Sequence, residues 1–456
     1  MTLELKEIVE IKIDRLTYGG DGIGKTDNFV VFVENSAIGD LLKVEITEVK
    51  KSFAKGKIVE ILEPSKTRVE PKCKLIEQCG GCNWQHIDYK SQLDAKKEAI
   101  EYNIKRIGGL DVPIKDVLPS ENPYHYRCKV QYHAEEIKGS DLIKIGYYEK
   151  GSNHVVDIDN CPIQPEILDK ISNHIRENSK GFDIYNDKTN SGLLKHVVFT
   201  YSMSKNELFI IFVLNLTKIP KSIERLALSC HEKFPEVVGT LANFNTKKTS
   251  MILGRGMKLI KGQDYVTEQL EDKTYRITAG SFFQVNPSSA ITMFNTVKNI
   301  ITERMDKPTI LDVYAGVASF AIWLKDIATD ITAIEEYPQA IKDARVNIDL
   351  NKHIEGSEID IIQGNADKVL KDLANKGKSF EVVVLDPPRK GCSLVAIDSA
   401  SKLAEKYIIY VSCNPATLGR DLKLLSERGF TAEYIQPLDM FCQTYHVESI
   451  TVLKKS

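Results

Sequence analysis

The sequence predicts an α/β protein: a mostly parallel, doubly wound C-terminal domain, preceded by an N-terminal β-barrel and an α+β middle. Three observations predict it. From about Ala279 onward, short apolar strands alternate with helical stretches, the pattern of a mostly parallel sheet. Residues 4–62 instead read as short strands of alternating polar and apolar side chains around a glycine-rich turn. Between these regions, residues 63–278 mix strands, helices and a run of cysteines.

In the first region, Glu7-Ile8-Val9-Glu10-Ile11-Lys12-Ile13 largely alternates. The turn Tyr18-Gly19-Gly20-Asp21-Gly22-Ile23-Gly24 leads to the apolar strand Phe29–Val33. Two more alternating runs, Leu42–Ile46 and Gly56–Leu62, bring the total to about four or five strands, suiting a small closed barrel of the OB type. Lys43, Lys50, Lys51, Lys55 and Lys57 crowd this region as a candidate nucleic-acid patch, although Glu45 and Glu48 among them also suit a solvated charged face. Pro64 and Pro71 bracket a linker, then the cysteine-rich segment leads to a helix from Tyr89 to about Ile107. Lys195–Thr200 and Glu207–Leu214 read as strands of the middle region. In the C-terminal domain Thr309–Val313, Ile331–Ile334, Ile359–Ile362, Val382–Leu385 and Tyr407–Val411 read as successive strands.

The 456 residues suffice for about three domains at ~100–200 residues each. A hydrophobic content of 42% with 27% charged residues is that of a globular protein, and a net charge of −2 offers no global attraction for an anionic partner. RNA or DNA binding must therefore rest on local patches. The N-terminal segment lacks the apolar core of a signal peptide, and no apolar run approaches the ~18 residues of a membrane helix. Nine cysteines without a secretion signal point to a reducing compartment, where clustered thiols serve metals or catalysis. The expectation is a cytoplasmic protein with no membrane partner.

Several motifs sit at strand ends, where open α/β sheets bind ligands. Asp312-Val313-Tyr314-Ala315-Gly316 carries a single glycine, so no pyrophosphate cradle is present, which argues against a dinucleotide dehydrogenase. Glu335 ends the next strand, where an acid can accept from ribose hydroxyls or cap a helix. Together these suit a nucleoside cofactor without phosphates, of which S-adenosylmethionine is the leading candidate. Asp386-Pro387-Pro388-Arg389 is a stiffened loop that directs a carboxylate. Cys413, in Ser412-Cys413-Asn414-Pro415, leaves a buried strand and is either a nucleophile or a small core residue. Cys73, Cys79 and Cys82, with Cys161 far downstream, suit a four-thiolate site for zinc or a 4Fe–4S cluster, which spacing does not separate.

The Asp-Pro-Pro-Arg and Ser-Cys-Asn-Pro motifs, followed by His446-Val447-Glu448, resemble the signature series of the RNA 5-methyluridine (uracil-C5) methyltransferases. Ser281-Phe282-Phe283-Gln284-Val285-Asn286 resembles that family's motif at the entrance to the catalytic domain, and Asn347 and Asn351 its asparagine-bearing helix. The similarity spans essentially the whole chain, the barrel resembling a TRAM domain. The resemblance implies a TRAM-like RNA-binding barrel over residues 4–62, a cluster-bearing middle domain over 63–278 and a Rossmann-like S-adenosylmethionine-dependent methyltransferase domain over 279–456. It implies Cys413 as nucleophile, Glu448 as base, and cofactor contacts at Gln284, Tyr314, Glu335 and Asp386. For the cysteines it implies a 4Fe–4S cluster held by Cys73, Cys79, Cys82 and Cys161, with Cys128, Cys392 and Cys442 left as non-ligands.

The expected substrate is 23S ribosomal RNA, with transfer RNA uridine 54 as the alternative, in a monomeric enzyme. Arg127, Lys129, Arg389 and Lys390 are candidate RNA contacts, and Phe282 a candidate lining for the pocket of an unstacked base. A non-catalytic RNA-binding or chaperone protein would have lost the nucleophile, the base or the Asp-Pro-Pro loop, and all three are present. A DNA- or free-nucleotide-modifying enzyme fits the barrel and the large middle region less well.

Overall fold

The computed structural model describes residues 3–26, 29–137 and 139–456. In chain order the elements begin with β1 (Ile8–Leu16), β2 (Gly22–Thr26), β3 (Phe29–Val33), β4 (Leu41–Val49), β5 (Phe53–Glu63) and α1 (Tyr89–Asn103). The middle region carries β6 (Lys129–Glu136), β7 (Ile143–Gly146), α2 (Glu166–Asn178), β8 (Leu194–Ser202), β9 (Glu207–Leu214), α3 (Lys221–Lys233), β10 (Val237–Phe244), β11 (Gly256–Gly262), β12 (Tyr265–Leu270) and β13 (Lys273–Thr278). Then follow α4 (Pro287–Thr302), β14 (Thr309–Val313), α5 (Ser319–Leu324), β15 (Asp330–Glu335), α6 (Pro338–Leu350), β16 (Ile359–Gln363), α7 (Ala366–Asn375) and β17 (Phe380–Leu385). The last elements are α8 (Leu394–Leu403), β18 (Ala404–Ser412), α9 (Pro415–Ser426), β19 (Phe430–Leu438) and β20 (Glu448–Lys455).

These elements form two compact units. One contains residues 1–77, 82–123 and 384–456, the other residues 78–81 and 124–383. In the first, strands β1-β2-β3-β5-β4 close into a barrel. The alternation seen in the sequence turns Ile11, Ile13, Val31, Val33, Leu42, Val44 and Ile46 into its core. The lysines of the barrel lie among acids: Lys43 pairs with Glu60 at 2.8 Å, Lys50 with Glu48 at 2.7 Å and Lys55 with Glu48 at 3.6 Å. Lys51 and Lys57 make no ion pair among the described residues, so the face carries both paired and unpaired cations.

The same unit holds three C-terminal strands in the order β18-β20-β19, with β20 antiparallel to both neighbours. A fully buried ion pair, Lys96 Nζ to Asp439 Oδ1 at 2.6 Å, ties α1 to the segment after β19. The expected helix to about Ile107 is α1 closed by a single π-turn, Ile104–Gly108.

In the second unit, six strands run in the order β11-β10-β9-β8-β6-β7, and β12 and β13 form a separate antiparallel pair. Strands β14, β15 and β16 are parallel, as expected from strand–helix alternation. Asn347 of α6 and Asn351, the residue just after the helix, are clamps: Asn347 binds both main-chain groups of Arg276, and Asn351 both of Thr274. They mimic the strand that β13 lacks on that side. Lys129 turns inward, its Nζ donating to the Ser281 carbonyl at 3.1 Å, so it is a packing residue and presents no free cation to RNA.

Candidate active site

Strand β18 delivers Cys413 to a short link between strand and helix. Asn414 accepts from the Ala416 N–H at 3.1 Å and Pro415 opens α9, a cap-plus-proline start that fixes where the helix begins. The Ser412 hydroxyl receives the Asn414 N–H at 3.2 Å, closing the link on itself. Cys413 is thereby held, partly exposed, beside a helix N-terminus.

Register brings in Glu448. Ser412 on β18 faces Ser449 on β20, and the Ser449 hydroxyl donates to the Ser412 carbonyl at 3.1 Å. One step further along this antiparallel pair, Glu448 lies across from Cys413. Glu448 is 5% exposed, and among the described residues no hydrogen-bond donor reaches its carboxylate.

The Asp386–Arg389 loop is buckled onto α9. The Arg389 carbonyl accepts from Asn414 Nδ2 at 3.1 Å and Thr417 Oγ1 at 3.3 Å, while Arg420 donates to the carbonyls of Lys390 and Cys392. Gly391 completes the loop at φ +73°. A side chain there would meet the Asp421 carboxylate at 2.5 Å, so the position requires glycine twice over.

The electrostatics follow from this enclosure. Burial pushes the Cys413 thiol up to about 12; the Glu448 and Asp386 carboxyls add to the shift and the Arg389 guanidinium opposes it. Burial, then Asp386, holds Glu448 well above the usual carboxylate range, again opposed by Arg389. Desolvation alone pushes Asp386 up to about 7. The thiol and the two carboxyls therefore act on one another, with Arg389 as the cation that favours the charged forms of Cys413 and Glu448. The Arg389 guanidinium also lies 3.4 Å from His446 Nε2.

One contributor was not visible in the sequence. Tyr18, from the turn between β1 and β2 of the barrel, donates its hydroxyl to the Cys413 carbonyl at 2.9 Å. Its ring stands edge-on to Tyr445 at 5.4 Å, and Tyr445 lies 4.2 Å from His446. The adjoining turn is pinned by Trp84, whose Nε1 donates to the Gly20 carbonyl at 2.9 Å. The glycine-rich turn announced a bend, and no spacing in the sequence linked it to a cysteine so far downstream.

The second unit carries the other expected cofactor residues. Glu335 is nearly buried and engaged by three main-chain N–H groups: Gly316 at 2.8 Å on Oε2, and Glu336 and Tyr337 at 2.7 and 2.8 Å on Oε1. It braces the turn after β14. In that turn Tyr314, Gly316 and Ala318 all adopt positive φ, and the space where a side chain on Gly316 would stand is open. Gln284 is half-buried, its carbonyl receiving the Cys128 thiol at 3.7 Å, and Phe282 is 65% exposed. Cys413, Glu448 and Asp386 thus fall in one unit, and Gln284, Tyr314 and Glu335 in the other.

The cysteine set divides as well, Cys73 and Cys82 in the first unit and Cys79 and Cys161 in the second. Among the described residues no group of three or more His, Cys, Asp or Glu side chains is arranged to hold a metal ion. The Cys79 sulfur accepts from the Gly81 N–H at 3.4 Å, and the Cys161 N–H is held by the Asp169 carboxylate. Cys128, Cys392 and Cys442 are buried.

The chain is similar to known proteins along nearly its whole length. Residues 88–456 match the family described as tRNA (Uracil-5-)-methyltransferase, and residues 4–59 match the TRAM domain. A protein of Clostridium tetani named an uncharacterized RNA methyltransferase is 36% identical over 95% of this chain and 93% of its own length. One of Clostridium acetobutylicum with the same description is 36% identical over 98% and 96%. Among solved structures, the Pyrococcus abyssi tRNA (uracil-54, C5)-methyltransferase in complex with S-adenosyl-L-homocysteine is 27% identical. It superposes with a TM-score of 0.74, covering 97% of this chain and 99% of that one. The fold is that of an S-adenosylmethionine-dependent methyltransferase with an N-terminal TRAM barrel, and the chain belongs to the tRNA (uracil-5-)-methyltransferase family.

Proposed function

We propose that the protein methylates carbon 5 of a uridine in RNA through a covalent intermediate on Cys413. The observation that carries this reading is the β18–β20 register, which sets a buried carboxyl, Glu448, across from a cysteine at a helix start. The Cys413 thiol releases its proton to solvent, its sulfur bonds to carbon 6 of the uracil, and the electron pair of the carbon 5–carbon 6 double bond shifts into an enolate that makes carbon 5 nucleophilic. S-adenosylmethionine, when bound, supplies the methyl group that carbon 5 accepts. Glu448 takes the carbon 5 proton, and the carbon–sulfur bond breaks to return the thiolate. Arg389 is the cation that favours the thiolate while Cys413 is ionised.

Gln284, Tyr314, Glu335 and Asp386 are proposed cofactor contacts. Glu335 has already given three of its acceptor positions to the turn, so its contact with a ribose hydroxyl falls to the remaining lone pair of Oε2. The three sequence segments would act as RNA-binding barrel, middle domain and catalytic domain, in a cytoplasmic monomer. For Cys73, Cys79, Cys82 and Cys161 the reading is a 4Fe–4S cluster of structural role, resting on the chemistry of a four-thiol donor set.

The substrate reading is 23S ribosomal RNA, supported by the cysteine pattern. A second reading, transfer RNA uridine 54, is favoured by the likeness to the Pyrococcus abyssi enzyme. Because that likeness spans 97% of this chain, the N-terminal barrel does not separate the two substrates. Incubation with labelled S-adenosylmethionine and unmodified 23S ribosomal or transfer RNA, followed by mapping of the methylated position, tests both. RNA containing 5-fluorouridine should trap the Cys413 adduct, because fluorine blocks proton loss. Methylation with no adduct on the fluorinated RNA would contradict the covalent route.

A further inference from the structure

The second unit carries an acid-free basic segment that the catalytic reading does not use. From Asn245 to Gln263 the chain carries Lys247, Lys248, Arg255, Lys258 and Lys261 and no acid. All five are exposed, and none pairs with an acid among the described residues. In the barrel, by contrast, three lysines are tied to glutamates.

The segment before β11 is a built loop. Lys195, 4% exposed, donates through Nζ to the carbonyls of Asn245 at 2.8 Å and Lys247 at 2.9 Å. Asn245 Nδ2 donates to the carbonyls of Met251 and Ile252, and Asn243 binds Gly254 through both its N–H and its carbonyl. Five loop carbonyls (those of Asn245, Lys247, Met251, Ile252 and Gly254) are consumed from inside, while the cations stay outside. Strand β11 is an edge strand beside β10, and its exposed Met257 and Leu259 alternate with Lys258.

Lysines on an edge strand also discourage pairing with another chain. That accounts for Lys258 and Lys261, but not for Lys247, Lys248 and Arg255 on a braced loop.

We propose that the loop 245–255 and the edge strand β11 form a docking surface for the phosphate backbone of the RNA substrate. Phosphates are the partner that exposed cations without ion pairs on a braced loop fit, and such contacts position a nucleic acid without reading its bases. The proposal rests on the RNA reading above and adds a second anchoring point to it.

The test uses the full chain and in-vitro-transcribed 23S ribosomal RNA and transfer RNA as probes. In Lys247→Gln/Lys248→Gln/Arg255→Gln, the slope of log affinity against log salt should fall by about 2, at ~0.7 per lost single-strand phosphate contact. Affinity near physiological salt should drop roughly tenfold, KM for RNA should rise, and kcat at saturating RNA should hold. An unchanged melting temperature shows that the fold is intact; should the triple variant melt early, Lys247→Gln/Lys248→Gln alone gives the same reading at about two thirds of the slope change. Unchanged affinity and slope would overturn the proposal. So would a Lys258→Gln/Lys261→Gln variant that aggregates while the loop variant binds normally, since the cations would then only guard the edge. If the wild type methylates neither RNA, the activity reading fails, while the salt slope still decides the docking surface.

Discussion

Two glutamates at strand ends, Glu335 and Glu448, look alike in the sequence and differ in what surrounds them. Glu335 ends β15 and accepts three main-chain N–H groups, so its charge is spoken for by the turn it holds. Glu448 begins β20, is as deeply buried, and has no hydrogen-bond donor among the described residues. A carboxylate with a full set of donors is a brace, because removing it strands those donors. A buried one without donors is held near neutrality by its surroundings and can exchange a proton with whatever enters.

The contrast predicts a graded set of effects. Cys413→Ala should abolish methyl transfer by at least about 10⁴-fold, measured as methyl incorporation, since losing a nucleophile removes the whole covalent route. Glu448→Gln should slow turnover about 10²–10⁴-fold and accumulate a protein–RNA adduct on denaturing gels, because the ring cannot lose its carbon 5 proton. If the glutamine variant turned over normally, the two glutamates would not differ as argued. Glu335→Gln should behave differently, weakening S-adenosylmethionine binding and lowering the melting temperature. About 2 kcal/mol is expected from charge-assisted bonds turned into a clash of donors, with no adduct.

Tyr18→Phe should cost about 1 kcal/mol, seen as a few-fold lower kcat with KM for the cofactor unchanged. The smallest signal is a pH effect. The folded-state value of Asp386, about 7, lies above its ordinary 3.8, so between these values the folded protein binds more protons than the unfolded chain. Stability from this group is therefore greatest below about pH 4 and is lost as pH rises to about 7. Asp386→Asn should flatten that part of a melting-temperature profile.

Much of this was legible beforehand. Strand–helix alternation marks β14 to β16 to within a residue at each end and the cores of β17 and β18, which begin two and three residues earlier, because buried parallel strands are continuous apolar runs. The nucleophile and its loop were readable because proline, asparagine and glycine have narrow local uses. The final strands β19 and β20 were not read as a pair, since their pairing is set by partners distant in sequence. Tyr18 was illegible for the same reason. Lys129 departs from its reading as an RNA contact because a charge in a sequence does not reveal whether its stem points inward. Asn347 and Asn351 are legible only by likeness, and their work as a main-chain clamp depends on β13, a strand distant in sequence.

The order β18-β20-β19 has a consequence for how the enzyme comes into being. On a ribosome β18 and β19 are made before β20, yet β20 must slot between them, bringing Glu448 with it. Until that insertion, the two earlier strands present unpaired edges and the cysteine has no base opposite it. The nascent protein is thus chemically mute through most of its synthesis. A late arrest would leave a sticky, inactive intermediate of the kind chaperones attend to.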